Sequence, residues 1–280
     1  MEGWIETCRS VVSPWECDIT EHFTIAYYFD RLADAAATTA EAFGLRDHVR
    51  LNGRRFDVRF ARELRAGASF HILSGPIAID GDHVQLGHQV VDSTNGEVTA
   101  WVQETLRTTT MLSSTEMHLL DWPGPAVEKR PGPTTLEGFV PTARDRVRPS
   151  DLDADGNFAL AAFVHRFTTA NIQALAAIGG TSSYMQAERR GYSTFELVLN
   201  VTTPPRLGVP LLVETGLVHL GNSSIRFVHR MCDPVTGSEF ARLGQFGVLL
   251  DLDARRPAPL PEVLRLAAAR LLVPVEQPGN

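Results

Sequence analysis

The chain has 280 residues, 44% hydrophobic and 21% charged, which is the composition of a globular protein and a length typical of about two domains. Its formal net charge of −7 disfavours nucleic acid as a partner, because such binding needs a concentrated basic surface. The three cysteines form no disulfide or zinc pattern, and with neither a signal peptide nor an apolar run of ~18 residues the chain is expected to be cytoplasmic.

The first half of the chain predicts a strand, a long helix and then four strands. A strand over 4–12 precedes a helix over 26–43, whose apolar residues recur at steps of three and four, and Gly44 is a natural residue to end that helix. Alternating apolar residues and the turns Asp80-Gly81 and Asn95-Gly96 predict strands over 56–60, 69–79, 84–91 and 98–108. Because helix and strands are segregated, the pattern indicates an α+β fold rather than a parallel doubly wound sheet.

The second half repeats this order after a segment rich in proline and glycine. That segment, 121–143, has no periodicity and is predicted to be a linker. It is followed by a predicted helix over 159–178 and strands over 195–201, 210–220, 224–232 and 239–250. A short last helix is expected to start at Pro261, since proline is favoured in a first helical turn.

The two halves also share residues in register, which indicates an internal duplication. One shift of 135 positions matches Val12 with Val147, Pro14 with Pro149, Asp18 with Asp153, Phe23 with Phe158, Arg31 with Arg166 and Gly44 with Gly179. A shift of 141 then matches His88 with His229, so the second copy holds six extra residues between Gly180 and Arg206. We therefore predict an N-terminal domain over 1–120, the linker over 121–143 and a C-terminal domain over 144–280.

The most informative repeated segment is a polar turn before each helix. The first copy, 16–22, reads E-C-D-I-T-E-H, and the second, 151–157, reads D-L-D-A-D-G-N. Both resemble the D-x-D-x-x-G-H turn of the hotdog-fold thioesterases, in particular the hydroxybenzoyl-CoA type, and the second also resembles the turn of the acyl-ACP thioesterases. The resemblance implies two tandem hotdog units, each a long central helix wrapped by an antiparallel sheet.

The same resemblance implies hydrolysis of an acyl-CoA thioester without a cofactor or metal. It places the catalytic carboxylate on Asp18 and Asp153 and the family's histidine on His22 and Asn157. The family's glycine falls on Glu21 in the first copy and on Gly156 in the second. Since the carboxylate and histidine occur together only in the first copy, we expect Asp18 and His22 to form the working site.

The chemistry fits a carboxylate placed before a helix. Asp18 can attack the thioester or act as general base on water, while free amides at the helix start, at 24–26, polarise the carbonyl. The predicted substrate-binding residues comprise pocket residues near the turn and two arginines for CoA phosphates: Trp15, Thr24, Ile25, Tyr28, Arg59 and Arg62. His88 and His229, at equivalent strand positions, are interpreted as structural.

Several alternatives remain open at the level of sequence. Asp18 and Asp153 could cap helices, because aspartate is a favoured N-cap residue. Calcium is disfavoured, because Ala162 occupies the twelfth loop position, where a glutamate ligand is required. An acyl carrier protein could replace CoA, and a non-catalytic acyl-binding or scaffold protein on the same fold is a different class of function. The tandem unit could also form a homo-oligomer; no membrane or nucleic-acid partner is expected.

Overall fold

The computed structural model describes residues 3–18, 20–45, 52–109, 111 and 117–276. The chain forms two compact units, each built mainly from one half of the sequence. The first unit comprises Met1–Ala126, Ala159–Val164 and Val198–Pro204; the second comprises Val127–Phe158, His165–Leu197 and Pro205–Asn280. The contiguous domain limits expected from the sequence stay a prediction.

The first half contains one long helix and a five-stranded antiparallel sheet. In chain order its elements are β1 Ile5–Val11, α1 Ile25–Ala42, β2 Arg54–Phe60, β3 Ser69–Asp80, β4 His83–Asp92 and β5 Val98–Arg107. The strands lie in the order β1-β3-β4-β5-β2, and all four neighbouring pairs in this order are antiparallel. The predicted element order is confirmed, with strand and helix limits shifted by one or two residues.

Helix α1 is shaped by its small residues and by its ends. Its buried side includes Ala26, Ala35, Ala36 and Ala40, which let the sheet approach closely, while larger neighbours such as Leu32 fill the remaining space. The helix ends before Gly44, which has a φ of 67°, a conformation that glycine adopts at little cost. Burial of apolar side chains against the sheet, at about 1.5–3 kcal/mol each, is the main favourable term.

The second half repeats this arrangement with additions. Its elements are β6 Val140–Arg146, α2 Leu160–Ala177, α3 Ser182–Ala187, β7 Arg190–Val201, β8 Pro210–Leu220, β9 Ser224–Cys232, β10 Glu239–Asp251, β11 Arg256–Pro257 and α4 Glu262–Ala269. The five main strands lie in the order β7-β10-β9-β8-β6, the same order as in the first half. The strand predicted over 195–201 begins earlier than expected, because β7 starts at Arg190, and the sequence did not predict the helix α3 before it. Helix α3 lies in the interval that holds the six extra residues.

A row of polar side chains crosses the buried face of the first sheet, one from each strand. Thr7 Oγ1 lies 2.7 Å from Ser74 Oγ, which lies 2.8 Å from His88 Nδ1. His88 Nε2 is 3.4 Å from Glu104 Oε2, and Arg54 Nε donates to Glu104 Oε1 at 2.9 Å. Burial alone raises the pKa of Glu104, but Arg54 and His88 lower it more, so the net shift is downward.

The equivalent row in the second sheet stops halfway. Thr142 Oγ1 lies 2.6 Å from Thr215 Oγ1, which lies 2.7 Å from His229 Nδ1. His229 Nε2 is buried without a hydrogen-bond partner among the described residues, because Gln245 and Phe195 stand where the first half has Glu104 and Arg54. Burial lowers the pKa of His229 to about 3, so this histidine is neutral.

The outer face of the first sheet is covered by the chain that follows β5. Trp122 packs against Trp4 and Trp101, with ring centroids 6.3 and 5.6 Å apart. A Cβ atom on Gly87 of β4 would lie 2.8 Å from the Trp122 ring, so the absence of a side chain there makes room for the indole. The start of the predicted linker is therefore packed rather than free.

Candidate active site

The turn before α1 is closed by its own backbone. Asp18 N donates to His22 O at 2.9 Å, and Glu21 N donates to Asp18 O at 3.0 Å. Glu21 has a φ of 64°, in the left-handed region where an L-residue is strained. The turn thus keeps the backbone shape expected of a glycine, although glutamate occupies the position.

The Asp18 side chain organises this turn through one of its two oxygens. Asp18 Oδ1 accepts hydrogen bonds from Thr20 N at 2.8 Å, from Thr20 Oγ1 at 2.6 Å and from His22 N at 3.2 Å. The side chain is exposed. Because α1 begins at Ile25 with Thr24 as its N-cap residue, the alternative that Asp18 caps the helix is wrong: it caps the turn.

His22 extends this hydrogen-bonded group to residues beyond β2. Its Nδ1 lies 3.0 Å from Thr20 Oγ1, and its Nε2 lies 2.9 Å from Glu63 Oε2 and 3.0 Å from Arg65 Nη2. The backbone brings these partners together, since His22 forms an isolated bridge with Arg65 and Phe23 N donates to Leu64 O at 2.8 Å. Both ring nitrogens are therefore engaged, and the ring is held in one orientation.

The result is a continuous set of four side chains, which we call the Asp18 chain: Asp18, Thr20, His22 and Glu63. The sequence predictions included Asp18 and His22 but missed Thr20 and Glu63. Glu63 lies 41 positions after His22, so no local motif connects the two residues. A comparison of the two halves gives one hint, since the positions of Thr20 and Glu63 differ between them: the second half has Asp155 and Pro204 there.

The second turn has the same backbone but not the same side chains. Asp153 N donates to Asn157 O at 2.8 Å, and Gly156, with a φ of 78°, takes the position of Glu21. Asp153 Oδ1 accepts from Asp155 N at 3.0 Å and from Asn157 N at 2.8 Å. Asp153 is thus another turn-capping carboxylate rather than a helix cap, in a turn that offers neither a hydroxyl nor an imidazole to extend the contact.

Each turn is anchored to its helix by the first acidic residue of the motif. Arg31 Nη2 donates to Glu16 Oε1 at 2.6 Å, and Ser13 N donates to Glu16 Oε2 at 2.8 Å. In the second half Arg166 Nη2 donates to Asp151 Oδ2 at 2.6 Å. Burial raises the pKa of Asp151, yet the hydrogen bond from Arg166 and its charge give a net downward shift. This acidic residue is structural in both copies.

The expected oxyanion donors at the start of α1 need one correction. Thr24 N donates to Glu16 O at 2.9 Å, so its amide is not available to a carbonyl. The amides of Ile25 and Ala26, which open the helix, donate to no described residue. The donors at the positive end of the helix are therefore those of Ile25 and Ala26.

The predicted substrate-binding side chains lie in different environments. Trp15 is 78% exposed on the 3₁₀ turn just before Asp18. Tyr28 is buried, its ring 4.5 Å from Phe23 and 5.4 Å from Phe60, and burial raises the pKa of its hydroxyl. Tyr28 is therefore placed as a core residue that remains a neutral phenol.

The two arginines predicted to meet CoA phosphates are both exposed. Arg62 Nη2 donates to Glu97 Oε1 at 2.9 Å, so its charge is paired on the surface, and Arg59 also has a partner. Arg65, by contrast, contacts His22. The loop after β2 thus contributes Glu63 to the Asp18 chain directly, while Arg59 on β2 and Arg62 on the loop lie at the surface.

Cys17 adjoins the site without being an activated nucleophile. Partial burial and the charge of Asp18 raise the pKa of its thiol, which keeps it protonated at neutral pH. Across the described ranges, no group of three His, Cys, Asp or Glu side chains is arranged to hold a metal ion. None of the helices in the described part of the chain is long and apolar enough to cross a membrane.

Comparison with known proteins gives a family match in the second half of the chain and a similar fold for nearly the whole chain. Residues 147–268 match the thioesterase-like superfamily. No curated protein sequence matches the chain. A Lactobacillus plantarum protein, provisionally named an oleoyl thioesterase, superposes with a TM-score of 0.67 at 10% identity, over 89% of this chain and 98% of its own.

Two further solved structures cover nearly the whole chain. An acyl-ACP thioesterase from Bacteroides thetaiotaomicron gives a TM-score of 0.66 at 11% identity, over 87% of this chain and 96% of its own. The 12:0-ACP thioesterase from Umbellularia californica gives 0.59 at 13% identity, over 91% and 94%. The match to the thioesterase-like superfamily is thus confined to residues 147–268, while the chain as a whole has the fold of the hotdog thioesterases.

Proposed function

We propose that the protein hydrolyses acyl thioesters, releasing a free acid and a thiol, at a site built on Asp18. The observation that carries this proposal is the Asp18 chain, which joins a carboxylate, a hydroxyl, an imidazole and a second carboxylate within hydrogen-bond distance. A merely structural turn does not need the last two members, as the second turn demonstrates by forming without them.

Asp18 acts as the nucleophile or as the general base for water. Its Oδ1 is held by three donors, while Oδ2 accepts no hydrogen bond from the described residues. The carboxylate is therefore fixed in orientation with one oxygen open to a substrate or a water molecule. Holding the reacting atom in place supplies part of the rate enhancement, because less freedom is lost on reaching the transition state.

His22 and Glu63 support the carboxylate. The Thr20 hydroxyl donates to Asp18, so Nδ1 of His22 is the donor to Thr20 Oγ1, while Nε2 lies between Glu63 Oε2 and Arg65 Nη2. In the free protein His22 holds Thr20 and Asp18 in orientation; to protonate the departing thiolate, its Nε2 proton leaves Glu63, which stabilises the charged ring. The amides of Ile25 and Ala26 provide hydrogen-bond donors for the oxygen that becomes negative during attack.

Two hotdog units in tandem, each with one turn and one helix, account for the duplicated sequence. In this proposal Asp153 and Asn157 form a second, weaker or inactive site. Acyl-CoA is the first substrate class to test. An acyl carrier protein is the second, since two of the matching structures are named as acyl-ACP thioesterases. A cytoplasmic location stays a prediction.

The deciding experiment measures thiol release from a panel of acyl-CoA and acyl carrier protein thioesters with a thiol-reactive dye. Asp18→Asn keeps the side-chain volume but removes the attacking carboxylate, and we expect kcat to fall at least about 1,000-fold. Asp153→Asn is the matched control, because Asp153 makes the same turn contacts without an imidazole partner; its kcat is expected to stay within about threefold of wild type.

The outcomes separate the alternatives. Loss of turnover only in Asp153→Asn would transfer the working site to the second half. If the folded wild-type protein released no thiol from any substrate, a non-catalytic acyl-binding function would replace hydrolysis. Circular dichroism of each variant verifies that lost activity is not lost folding.

A further inference from the structure

A pocket of about 430 Å³ opens in the first unit, at the opposite end of β2 from the Asp18 chain. It is bordered by the start of β2, the end of β5 and the segment 200–203. Its lining combines three arginines with amides, hydroxyls and main chain: Arg54, Arg55, Arg107, Asn52, Asn200, Thr202 and Thr203, together with Gly53 and Val201. No carboxylate among the described residues lines it.

Each arginine is held in place by a carboxylate that does not line the pocket. Arg55 donates to both oxygens of Asp57, at 2.7 and 2.6 Å, and through Nη1 to Asn200 Oδ1 at 3.2 Å. Arg107 donates through Nε and Nη2 to Asp82, at 3.2 and 2.8 Å. The guanidinium groups are therefore fixed before any ligand arrives, which reduces the ordering cost of binding.

Arg54 is held most firmly, by the fully buried Glu104. Its Nη1, like that of Arg107, donates to no described residue. Arg54 uses Nε and Nη2 on Glu104, and it lines the pocket together with Arg55 and Arg107. The pocket thus offers unused cationic donors beside neutral amides and hydroxyls, a donor set that suits phosphate oxygens.

The second half shows that this arrangement is not required by the fold. Its sheet has Phe195, Glu196 and Val248 at the positions of the three arginines, and Gln245 at that of Glu104. A buried ion pair costs desolvation and is weak evidence for stability. The arginine cluster is therefore specific to the first half and is not required to build the fold.

We propose that this pocket binds the phosphate groups of the thioester substrate, which are carried by coenzyme A or by the phosphopantetheine arm of a carrier protein. The inference rests on the proposed function for the identity of the ligand. The volume accommodates a phosphate with part of the molecule attached to it. The proposal assigns phosphate recognition to Arg55, Arg107 and Arg54 of the pocket. The exposed Arg59 and Arg62, predicted from the sequence, are not assigned this role.

Calorimetric titration tests the site without turnover. Wild-type protein is titrated with coenzyme A, adenosine 3′,5′-bisphosphate and pantetheine, which lacks phosphate. The double variant Arg55→Gln plus Arg107→Gln changes two half-exposed side chains and leaves the buried Arg54–Glu104 pair intact. We expect its Kd for coenzyme A to rise at least about tenfold, while binding of pantetheine is unchanged, because each lost contact is a charge-assisted hydrogen bond.

The matched control is Arg9→Gln. Arg9 also donates two hydrogen bonds to one carboxylate, through Nε and Nη2 to Glu6 at 2.7 and 2.6 Å, but it does not line the pocket. Its Kd for coenzyme A is expected to match wild type. Unchanged thermal midpoints in all variants exclude a folding defect.

Steady-state kinetics then distinguish the two sources of phosphate. The same acyl group is presented on coenzyme A and on carrier protein, and the substrate whose KM rises in the double variant is the one held by the pocket. If neither KM rises, or if Arg59→Gln plus Arg62→Gln weakens binding while the pocket variant does not, the inference is overturned even though hydrolysis stands. If coenzyme A binds as expected but no thioester is hydrolysed, the phosphate site stands and the proposed catalysis fails.

Discussion

The two turns have nearly the same backbone and different chemistry. In each, an aspartate side chain accepts amide hydrogen bonds from the residues two and four positions later. Only the first turn continues through a hydroxyl to a histidine and then to Glu63. The turn therefore forms without the histidine, and His22 with its partners is not needed for the turn to fold.

The buried rows of the two sheets differ in the same way. The first row ends in the Arg54–Glu104 pair, whereas the second ends at a histidine nitrogen to which no residue in the described part of the chain is hydrogen-bonded. In both comparisons the first half places a carboxylate where the second has a neutral residue: Glu63 corresponds to Pro204, and Glu104 to Gln245. A duplicated fold thus acts as an internal control, because whatever one copy lacks is not needed to build that copy.

The largest effect is expected from making the first turn resemble the second. His22→Asn removes the imidazole but keeps a hydrogen-bonding side chain, and we expect kcat on the best thioester to fall about 100- to 1,000-fold, the usual contribution of a positioned acid or base. The thiol-release assay measures it. The reciprocal change Asn157→His should give no gain, because Asp155 has no hydroxyl to link the new ring to Asp153 and Pro204 has no carboxylate; a rise in activity there would contradict the role given to Thr20 and Glu63.

A smaller effect concerns the stability of the second buried row. Since the pKa of His229 is lowered from 6.5 to about 3, the unfolded chain takes up this proton near pH 6.5, whereas the folded protein takes it up only near pH 3. The stability is fully present above pH 6.5 and is lost as the pH falls toward 3. At 1.36 kcal/mol for each pKa unit, this is about 2 kcal/mol between pH 7.5 and 5.

Denaturant unfolding across that pH range checks the size of this loss in wild type and in His229→Gln. The variant should show a flatter dependence on pH, since glutamine does not titrate. Glu104 and Asp151 contribute little to the difference, because their lowered pKa values place their titration at more acidic pH. Parallel pH profiles for the two proteins would show that His229 is not the group responsible.

The smallest effect is expected from the strained residue of the first turn. Glu21→Gly relieves the cost of a left-handed side-chain-bearing residue but makes the unfolded chain more flexible, so the net gain is about 0.5–1 kcal/mol. The reciprocal Gly156→Ala should lose a similar amount, since an added Cβ there meets no neighbouring atom and only strain changes. Chemical denaturation gives both values; a gain in stability from Gly156→Ala would remove strain as the explanation.

The duplication, the strand order along the chain and the two catalytic candidates in the first turn could be predicted because they depend on local patterns. Periodicity locates α1, and a polar turn at a fixed distance before it locates Asp18 and His22. Glu63 could not be found in this way, since its contact with His22 exists only after the chain beyond β2 pairs with the turn. The helix-start amide of Thr24 was assigned wrongly for a related reason: its acceptor, Glu16 O, is a tertiary contact.

The arginine pocket could not be predicted from local sequence patterns either. Arg54 and Arg55 are adjacent, but Arg107 lies at the far end of β5 and Asn200 in the other half of the sequence. Nothing in the sequence separates these arginines from Arg59 and Arg62, which stand on the same strand or just after it. The two sets of arginines differ in their partners. Buried or half-buried carboxylates hold Arg54, Arg55 and Arg107 around one cavity.

The packing of Trp122 onto the first sheet has a spectroscopic consequence. Three of the four tryptophans, Trp4, Trp101 and Trp122, share one cluster, so their emission reports whether the chain after β5 stays docked on the sheet. The fourth, Trp15, stands alone and exposed beside Asp18. Its emission should be red-shifted and quenched by iodide. The cluster of three therefore reports on the integrity of the fold, and Trp15 reports separately on events at the site.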